Sequence, residues 1–595
     1  MSPTPQTCYN CSHMSHDLEK QRHSLAHLLA AAVLKLYPDA LPTLGPAVDN
    51  GFYYDFDFPT PITEKDLAKI EKEMKKILPS WKEFSGAEVS YVDAKEKFTG
   101  NPYKLELIEE INGKGEKITL YTSGKEKTQF TDLCRGGHVD DMSTVPADSF
   151  KLERIAGAYW RGKETNKMLT RIYGLAFASQ TDLTAYELQQ EEAKKRDHRK
   201  LGKELKLFTI SELVGSGLPL MQPNGMIIRK AIEDYLWDLH KDKGYSRVWT
   251  PHMAKESLYE TSGHASKFGD ELFRVTGGDE QFFLKPMNCP HHMQIFADNQ
   301  FSYRHMPVRY FEPATVYRYE KAGQLSGLTR VRAITQDDGH LFCRVSQISA
   351  EVSTIVQIIK EFYTTMNMME GYWVRLSTRG DDKTKYLGSD EVWEKAEGAL
   401  EQSAKENNLN YKIGRDEAAF YGPKLDFMFK DAIGREWQLA TIQCDFNLPE
   451  RFDLSFTNEK GEAERPVVIH RAISGSLERF MGVMIEHYAG NFPLWLAPTQ
   501  VKIIPVRTHH NDYAQKVFEA LREQGIRAEL DDADENLGKK VRDAKNMRIP
   551  YTIIIGDKEI ESNNLTIENR DKGKIGEKTI EETLALFLDE IKNKS

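Results

Sequence analysis

The chain has 595 residues, enough for about three to five domains at roughly 100–200 residues each. Apolar residues make up 40% and charged residues 29%, an ordinary globular balance. No run reaches the roughly 18 apolar residues of a membrane span, and six cysteines are too few for a disulfide scaffold. Collagen-like, disordered, disulfide-framework and integral-membrane classes are therefore excluded. The first 22 residues lack an apolar h-region, so no secretory signal is expected. The cysteine usage fits a reducing, cytoplasmic setting. A formal charge of −10 leaves an anionic partner open wherever basic residues cluster.

Residues 1–16 read as a tail carrying Cys8, Cys11, His13 and His16. It is either a flexible leader or a compact metal-capable cluster too short to surround a core of its own. Residues 17–182 form a first α+β block. Its predicted helix over 18–36 places Leu25, Leu28, Leu29, Ala32 and Leu36 on one face and is closed by Pro38. A second helix is predicted over 64–78, and strands over 118–121 and 171–177. A polar helix over 183–207 carries Lys194, Lys195, Arg196, Arg199 and Lys200. It reads as a solvated connector or as a basic rail for a phosphate backbone.

The block 208–496 holds strand candidates at 245–249, 282–285, 308–319, 331–335, 372–376, 424–429 and 436–439, with helices at 225–243 and 346–365. Strands without regularly alternating helices predict a mainly antiparallel sheet. Pro493 and Pro498 bracket a linker, and 497–595 reads as a βαβαβ domain. Its strands are predicted at 501–506, 527–530 and 551–555, its helices at 512–524 and 537–547, and its basic cluster is Lys539, Lys540, Arg542, Lys545 and Arg548.

No P-loop and no strand–G-x-G-x-x-G–helix unit is present, so any nucleotide must be held by other groups. Arginines suit, because a guanidinium grips phosphate with two parallel bonds and keeps its charge. Arg309, Arg318, Arg330 and Arg332 lie in two strand-like runs joined by residues 320–328. Alternation along a strand would point Arg318 and Glu320 one way, and Arg330 and Arg332 together; the same residues could form a salt-bridged hairpin surface. Asp337-Asp338-Gly339-His340 is an unusual acid-rich run for a sheet. His470 follows an apolar strand, and Arg479 sits in a helix behind it. Cys289 reads as a loop cysteine. Together Cys289, His340 and His470 could supply three ligands and leave a tetrahedral ion one open position. In the first block, His23 and His27 lie one helical turn apart, and Cys134 and His138 follow Asp132. That set is either a metal site or a hydrolytic pocket around a water.

At these residues the chain resembles the threonyl-tRNA synthetases of the bacterial kind, class II aminoacyl-tRNA synthetases, from about residue 17 onward. The likeness rests on His23-x3-His27, the run Gly45 to Tyr54, Cys134-Arg135-Gly136-Gly137-His138, Gly157 to Gly162, Lys285-Pro286-Met287-Asn288-Cys289-Pro290, Thr335 to His340, Ala419 to Lys424, and His470-Arg471-Ala472-Ile473. It implies an α+β multidomain chain: an editing domain over 17–182, a linker helix over 183–207, a class II antiparallel catalytic sheet with flanking helices over 208–496, and an α/β anticodon-binding domain over 497–595. It implies ATP-dependent activation of L-threonine, transfer to tRNA(Thr), and hydrolytic editing of Ser-tRNA(Thr). Arg318 and Glu320 match motif 2, Arg479 motif 3, and Pro251 the motif that builds a homodimer. Cys289, His340 and His470 match the ligands of one Zn2+ per subunit, and Mg2+ would accompany ATP. Asp338 matches the carboxylate that accepts the threonine hydroxyl. Met287, Arg330, Gln336, Tyr421, Lys424, Gln438, Gln443 and Ser476 match further active-site positions. His23, His27, Asp132, Cys134 and His138 match the editing pocket. No membrane partner is implied.

The two clusters follow one logic. An apolar pocket separates threonine from valine only weakly, by about 10²-fold, whereas an ion with an open position can take both the amine and the hydroxyl. Serine keeps both groups and lacks only a methyl, worth on the order of 1–3 kcal/mol, so a second, hydrolytic site is needed. The chain departs from the family in places. Bacterial members usually begin with a small ubiquitin-like domain, and here the editing-like block comes at once. Arg332-Ala333-Ile334 stands where Gly-Phe is usual, Gly339 where Ala is usual, His291 where Gly is usual, and Asp534-Glu535-Asn536 where Asn-Glu-Lys is common. Lys539, Arg542, Arg548 and Arg570 are candidate phosphate or base contacts. The alternative reading is a catalytically silent, RNA-binding paralogue, which would typically lack the motif arginines or the zinc ligands.

Overall fold

The computed structural model describes residues 8–125 and 128–595, with side chains described from Asp17 onward. The side chains of Cys8, Cys11, His13 and His16 therefore lie outside the described residues. The chain forms two compact units, one ending at Glu191 and one over Glu192–Ser595. Among the described residues, no helix is long and apolar enough to cross a membrane.

In the first unit a helix spans Cys8–Leu36, so the backbone expected as a tail is helical from Cys8. Leu25, Leu28, Leu29 and Ala32 are fully buried, as helical spacing requires. They pack with Leu67, Ile70, Met74 and Ile77 of the helix Glu64–Ile77. Beneath lies a sheet whose main path runs Leu41–Pro42, Gly51–Asp57, Met168–Ala176, Phe150–Tyr159. The strand Gly51–Asp57 buries Phe52, Tyr54 and Phe56 on one face at period two. On the other face Asp55 receives a bidentate pair of bonds at 2.7 and 2.8 Å from Arg171, whose guanidinium lies 3.7 Å over the Tyr53 ring. Gly51 is required here, because a Cβ would sit 1.9 Å from the Gly174 carbonyl oxygen. A separate antiparallel trio, Phe84–Glu88, Thr119–Ser123 and Phe130–Leu133, carries Asp132 and leads into Cys134.

The second unit is built on an eight-stranded sheet ordered Tyr245–Arg247, Val308–Tyr317, Ala333–Cys343, Val467–Ser476, Glu436–Asp445, Lys424–Lys430, Trp373–Thr378, Tyr411–Arg415. All pairs are antiparallel except the outermost one at each edge, which agrees with the antiparallel expectation. The helix Ile348–Thr365 lays Ile355, Ile358, Ile359 and Phe362 into the core.

Three local readings are corrected. The polar helix over 183–207 is two helices, Gln180–Arg196 and His198–Glu204. Asp197 leaves helical geometry between them, and its carboxylate caps the Arg199 N–H at 2.8 Å. The strand expected to reach residue 319 stops at Tyr317, and the one expected over 331–335 begins only at Ala333 and runs on to Cys343. Arg318, Glu320 and Arg330 thus lie in the connecting loop, where strand alternation does not govern them. Cys289 is not in a loop but opens the helix Cys289–Ala297, with Pro290 in its first turn.

The last 95 residues form a sheet whose first three strands, Val501–Pro505, Ala528–Leu530 and Tyr551–Ile555, are parallel, as βαβαβ requires. Two antiparallel strands, Leu565–Asn569 and Gly573–Lys578, and a capping helix, Ile580–Asn593, extend it beyond the sequence reading. Arg548 and Arg570, both half-buried, line a cavity of about 800 Å³ and are held there by backbone carbonyls. Arg548 donates to the Ala489 carbonyl, and Arg570 to the Asn491 and Phe492 carbonyls at 3.2 Å.

Ile359 touches the core from a fully helical position, so Ile359→Ala should cost about 2–5 kcal/mol. Val345→Ala, at a site 45% exposed, should change stability by less than about 0.5 kcal/mol. Urea unfolding midpoints of the two variants check both.

Candidate functional site

In the central sheet, register aligns polar groups that are far apart in sequence. Tyr310 pairs with His340, His340 with His470, His470 with Gln443, and Gln443 with Lys424. Cross-strand partners share a face, so one row runs across five strands. Alternation adds Asp338 and Gln336 along the strand Ala333–Cys343. Asp337 and Arg471 turn to the opposite face, where they pair in full burial at 3.6 Å and where Asp337 also accepts the N–H groups of Ile473, Ser474 and Gly475.

Cys289, His340 and His470 are all buried, with one donor atom of each within 4.8 Å of the others. The surrounding hydrogen bonds fix the form of each imidazole. His292 Nε2 donates to Glu312 Oε2 at 2.9 Å, so its Nδ1 is left as an acceptor, and His340 Nδ1 donates to it at 2.8 Å. His340 Nε2 then carries a free lone pair. His470 Nε2 donates to Asp445 Oδ2 at 2.8 Å, which frees its Nδ1. Two neutral imidazoles with orienting partners and one thiol are the donor chemistry of a metal centre. Asn288 donates to Asp338 at 2.9 Å and orients that carboxylate. His264 stands 3.6 Å from the Cys289 sulfur, and burial lowers its pKa to about 3. His291 does not join the cluster. It is buried, and neither ring nitrogen has a partner among the described residues.

The remaining predicted residues flank this row. Arg318 approaches the Met287 sulfur at 2.9 Å and lies over Phe268 at 5.1 Å. Glu320 pairs with Arg330 at 2.9 Å. Arg479 donates to the Thr329 carbonyl at 3.1 Å, and its own N–H is capped by Ser476 Oγ. Tyr421 donates to Gln443. Lys424 and Gln438 both contact the buried Asp426, at 2.9 and 2.7 Å.

In the first unit, His23, His27, Cys134 and His138 also converge within 4.8 Å. The Cys134 sulfur lies 3.5 Å from His23 Nε2 and 3.3 Å from His138 Nε2. Burial pushes the Cys134 thiol up to about 11, so it is no thiolate nucleophile near neutral pH. Burial likewise depresses all three rings: His23 moderately, His27 strongly, and His138 to about 2. They are neutral bases or acceptors. Asp132 lies 3.9 Å from His27 and bonds both Lys104 and, at 2.6 Å, the Tyr54 hydroxyl. His138 lines a cavity of about 600 Å³, and Cys134 lines another of about 240 Å³.

Sequence reading missed Lys104, Tyr54, His264, Asn288, His292, Glu312 and Asp445 as parts of these clusters. Glu312 alone carried a usable signal, as a carboxylate in a strand run dominated by apolar and aromatic residues.

Three family models match the chain. They are the class II core domain of tRNA synthetases for G, H, P, S and T over residues 273–488, an anticodon binding domain over 500–590, and the threonyl and alanyl tRNA synthetase second additional domain over 118–173. A threonine–tRNA ligase of Synechococcus elongatus is 47% identical over 575 residues, covering 95% of this chain and 94% of that protein. One of Thermus thermophilus is 44% identical, covering 96% and 87%. Among solved structures, the RNA binding domain of threonyl-tRNA synthetase from Cryptosporidium parvum aligns with a TM-score of 0.63 at 33% identity, covering 66% of this chain and 98% of that one.

The depressed rings have a stability consequence. Below the ordinary histidine value of 6.5, the unfolded chain takes up protons that the native quartet refuses. Stability conferred above that value is therefore lost as pH falls beneath it. Urea midpoints measured from pH 7 to pH 5 should decline, and His138→Gln should flatten the decline.

Proposed function

The chain belongs to the threonine–tRNA ligase family, and we propose that its two clusters divide one task, selection of threonine in the second unit and removal of serine in the first. Residues 208–496 act as the catalytic domain, 17–182 as the editing domain, 183–207 as the linker, and 497–595 as the anticodon-binding domain. The substrates are L-threonine, ATP with Mg2+, and tRNA(Thr). The observation that carries the reading is the convergence of Cys289, His340 and His470 beside Asp338. A catalytically silent paralogue would have lost part of this set or the motif arginines.

The thiol of Cys289 and the two oriented imidazoles would hold zinc, which would supply a Lewis acid for the amine and hydroxyl of threonine. Asp338, held by Asn288, accepts the threonine hydroxyl. Valine has no donor to offer it, and an unpaired buried carboxylate is costly. Arg318, with Met287 beside it, holds the threonine carboxylate against the α-phosphate. Arg479 takes the far phosphates. Both guanidiniums offset the charge that develops as the carboxylate attacks and pyrophosphate leaves. Glu320 and Arg330, on the loop with Arg318, face the nucleotide and the tRNA acceptor end. Tyr421, Gln443, Lys424, Gln438, Gln336 and Ser476 line the rest of the site. The 3′-terminal hydroxyl of tRNA then attacks the mixed anhydride and releases AMP.

In the first unit His23 and His27 orient a water onto the seryl ester. Cys134 and His138 close the pocket, and the Lys104–Asp132 pair fixes His27. The enzyme works as a cytoplasmic homodimer. Trp249, 73% exposed beside Pro251, and Leu213, fully exposed, are the apolar surface that a second copy would cover.

Threonine-dependent ATP–pyrophosphate exchange tests the substrate. Arg318→Ala should reduce it by about 10²–10³-fold, and robust exchange with another amino acid but none with threonine would overturn the assignment. His292→Phe removes the group that orients His340, so zinc affinity measured by chelator competition should fall about 10–100-fold. His23→Ala with His27→Ala should let Ser-tRNA(Thr) accumulate while threonylation continues; unchanged deacylation would take these residues out of the hydrolytic role.

A further inference from the structure

A third group of metal-capable side chains, Asp197, His198 and Glu486, lies in the second unit outside the sites above. His198 has no lone pair left for an ion. Its Nδ1 donates to Glu486 Oε1 at 2.6 Å, and its Nε2 accepts the Leu328 N–H at 3.0 Å. Both nitrogens of a neutral imidazole are thereby used. The arrangement is a bracket rather than a metal site.

What it brackets is specific. Glu486 lies in the last turn of the helix Leu477–His487, whose first turn carries Arg479. The same Glu486 oxygen also accepts the His198 backbone N–H at 3.0 Å, while its second oxygen is held by Arg435. Leu328 lies in the loop between Tyr317 and Ala333, is fully buried, and adjoins Thr329, whose carbonyl receives Arg479. The approach is close enough to dictate sequence. Gly327 sits at a φ of +48°, and a Cβ there would fall 2.1 Å from His198 Nε2; a Cβ on Gly482 already meets Thr329 Cγ2 at 3.2 Å. His198 itself follows the helix break at Asp197, so its ring enters from the connecting segment and not from the catalytic sheet.

The geometry points to His198 as a positioning residue for the Glu320–Arg332 loop, locking it against the helix that carries Arg479. It acts through Leu328 and touches no substrate. This rests on the reading that Arg479 and this loop hold ATP and the acceptor end of tRNA.

The test uses the full-length, zinc-loaded protein with His198→Phe, which keeps a ring but no acceptor, and His198→Gln, whose amide offers an acceptor and a donor. Hydrogen exchange of peptides covering residues 320–332 reads loop order without reference to activity. Exchange of these peptides in His198→Phe should accelerate about tenfold, and KM for ATP should rise about tenfold at unchanged zinc content. His198→Gln should recover both. Wild-type exchange and wild-type KM in His198→Phe would overturn the proposal. So would equal losses in both variants that reduce only the fraction of active enzyme and leave KM unchanged. If the wild-type protein failed threonine-dependent pyrophosphate exchange, the functional reading would fall, while the loop exchange would still decide the role of His198.

Discussion

The register of the antiparallel sheet is the constraint on which the second unit's chemistry depends. Backbone hydrogen bonds, indifferent to side-chain identity, set His340 opposite His470, and His470 opposite Gln443. The site's polar groups therefore need no affinity for each other to meet. They are delivered by the ladder, and the energy that holds the ladder comes from the apolar helix Ile348–Thr365 and its neighbours on the other side. This separation of labour explains how so many polar groups can be buried in one strand. Asp337, Asp338 and His340 each find partners supplied by an adjacent strand or by the helix Cys289–Ala297 and the Asn288 that precedes it.

The two clusters use imidazole in different surroundings. In the second unit His340 and His470 each hand one N–H to an oriented acceptor, His292 or Asp445, leaving a defined lone pair. In the first, three rings crowd a neutral thiol, and burial suppresses protonation of all of them. The first arrangement suits a Lewis acid; the second keeps several weak bases ready around a water. An ion pair, Lys104 with Asp132, is buried beneath the quartet. Such a pair adds little net stability but is costly to break on one side, so it serves to fix geometry.

Period-two and helical patterns made much of the scaffold legible. The Leu25-to-Ala32 face, the parallel strands of the last domain and the antiparallel core were all readable because each rests on local alternation or on connection length. The boundaries failed where polarity and structure part company. The basic run over 194–200 hid a helix break, because Asp197 looks like one more surface charge until its carboxylate is seen as a cap. The motif arginines were taken for strand residues because the loop between Tyr317 and Ala333 keeps strand-like composition at both ends. The family likeness singled out Cys289, His340 and His470, which the fold brings together, but no pattern in the chain reveals Lys104 or His264. A lone cation in a helix and a lone imidazole after a turn have ordinary surface sequences, and only tertiary packing buries them.

The shift in register between Gln336 and Asp338 has a consequence for how such a chain can change over time. One residue added to or removed from the strand Ala333–Cys343 would turn every later side chain through the sheet, exchanging Asp338 with its structural neighbour Asp337 and burying an imidazole in hydrocarbon. Point replacements here can be graded in effect, whereas insertions and deletions cannot. Length variation among descendants of this fold should accordingly be confined to the segments between strands, and any lineage that alters the length of this strand must have relinquished the chemistry first.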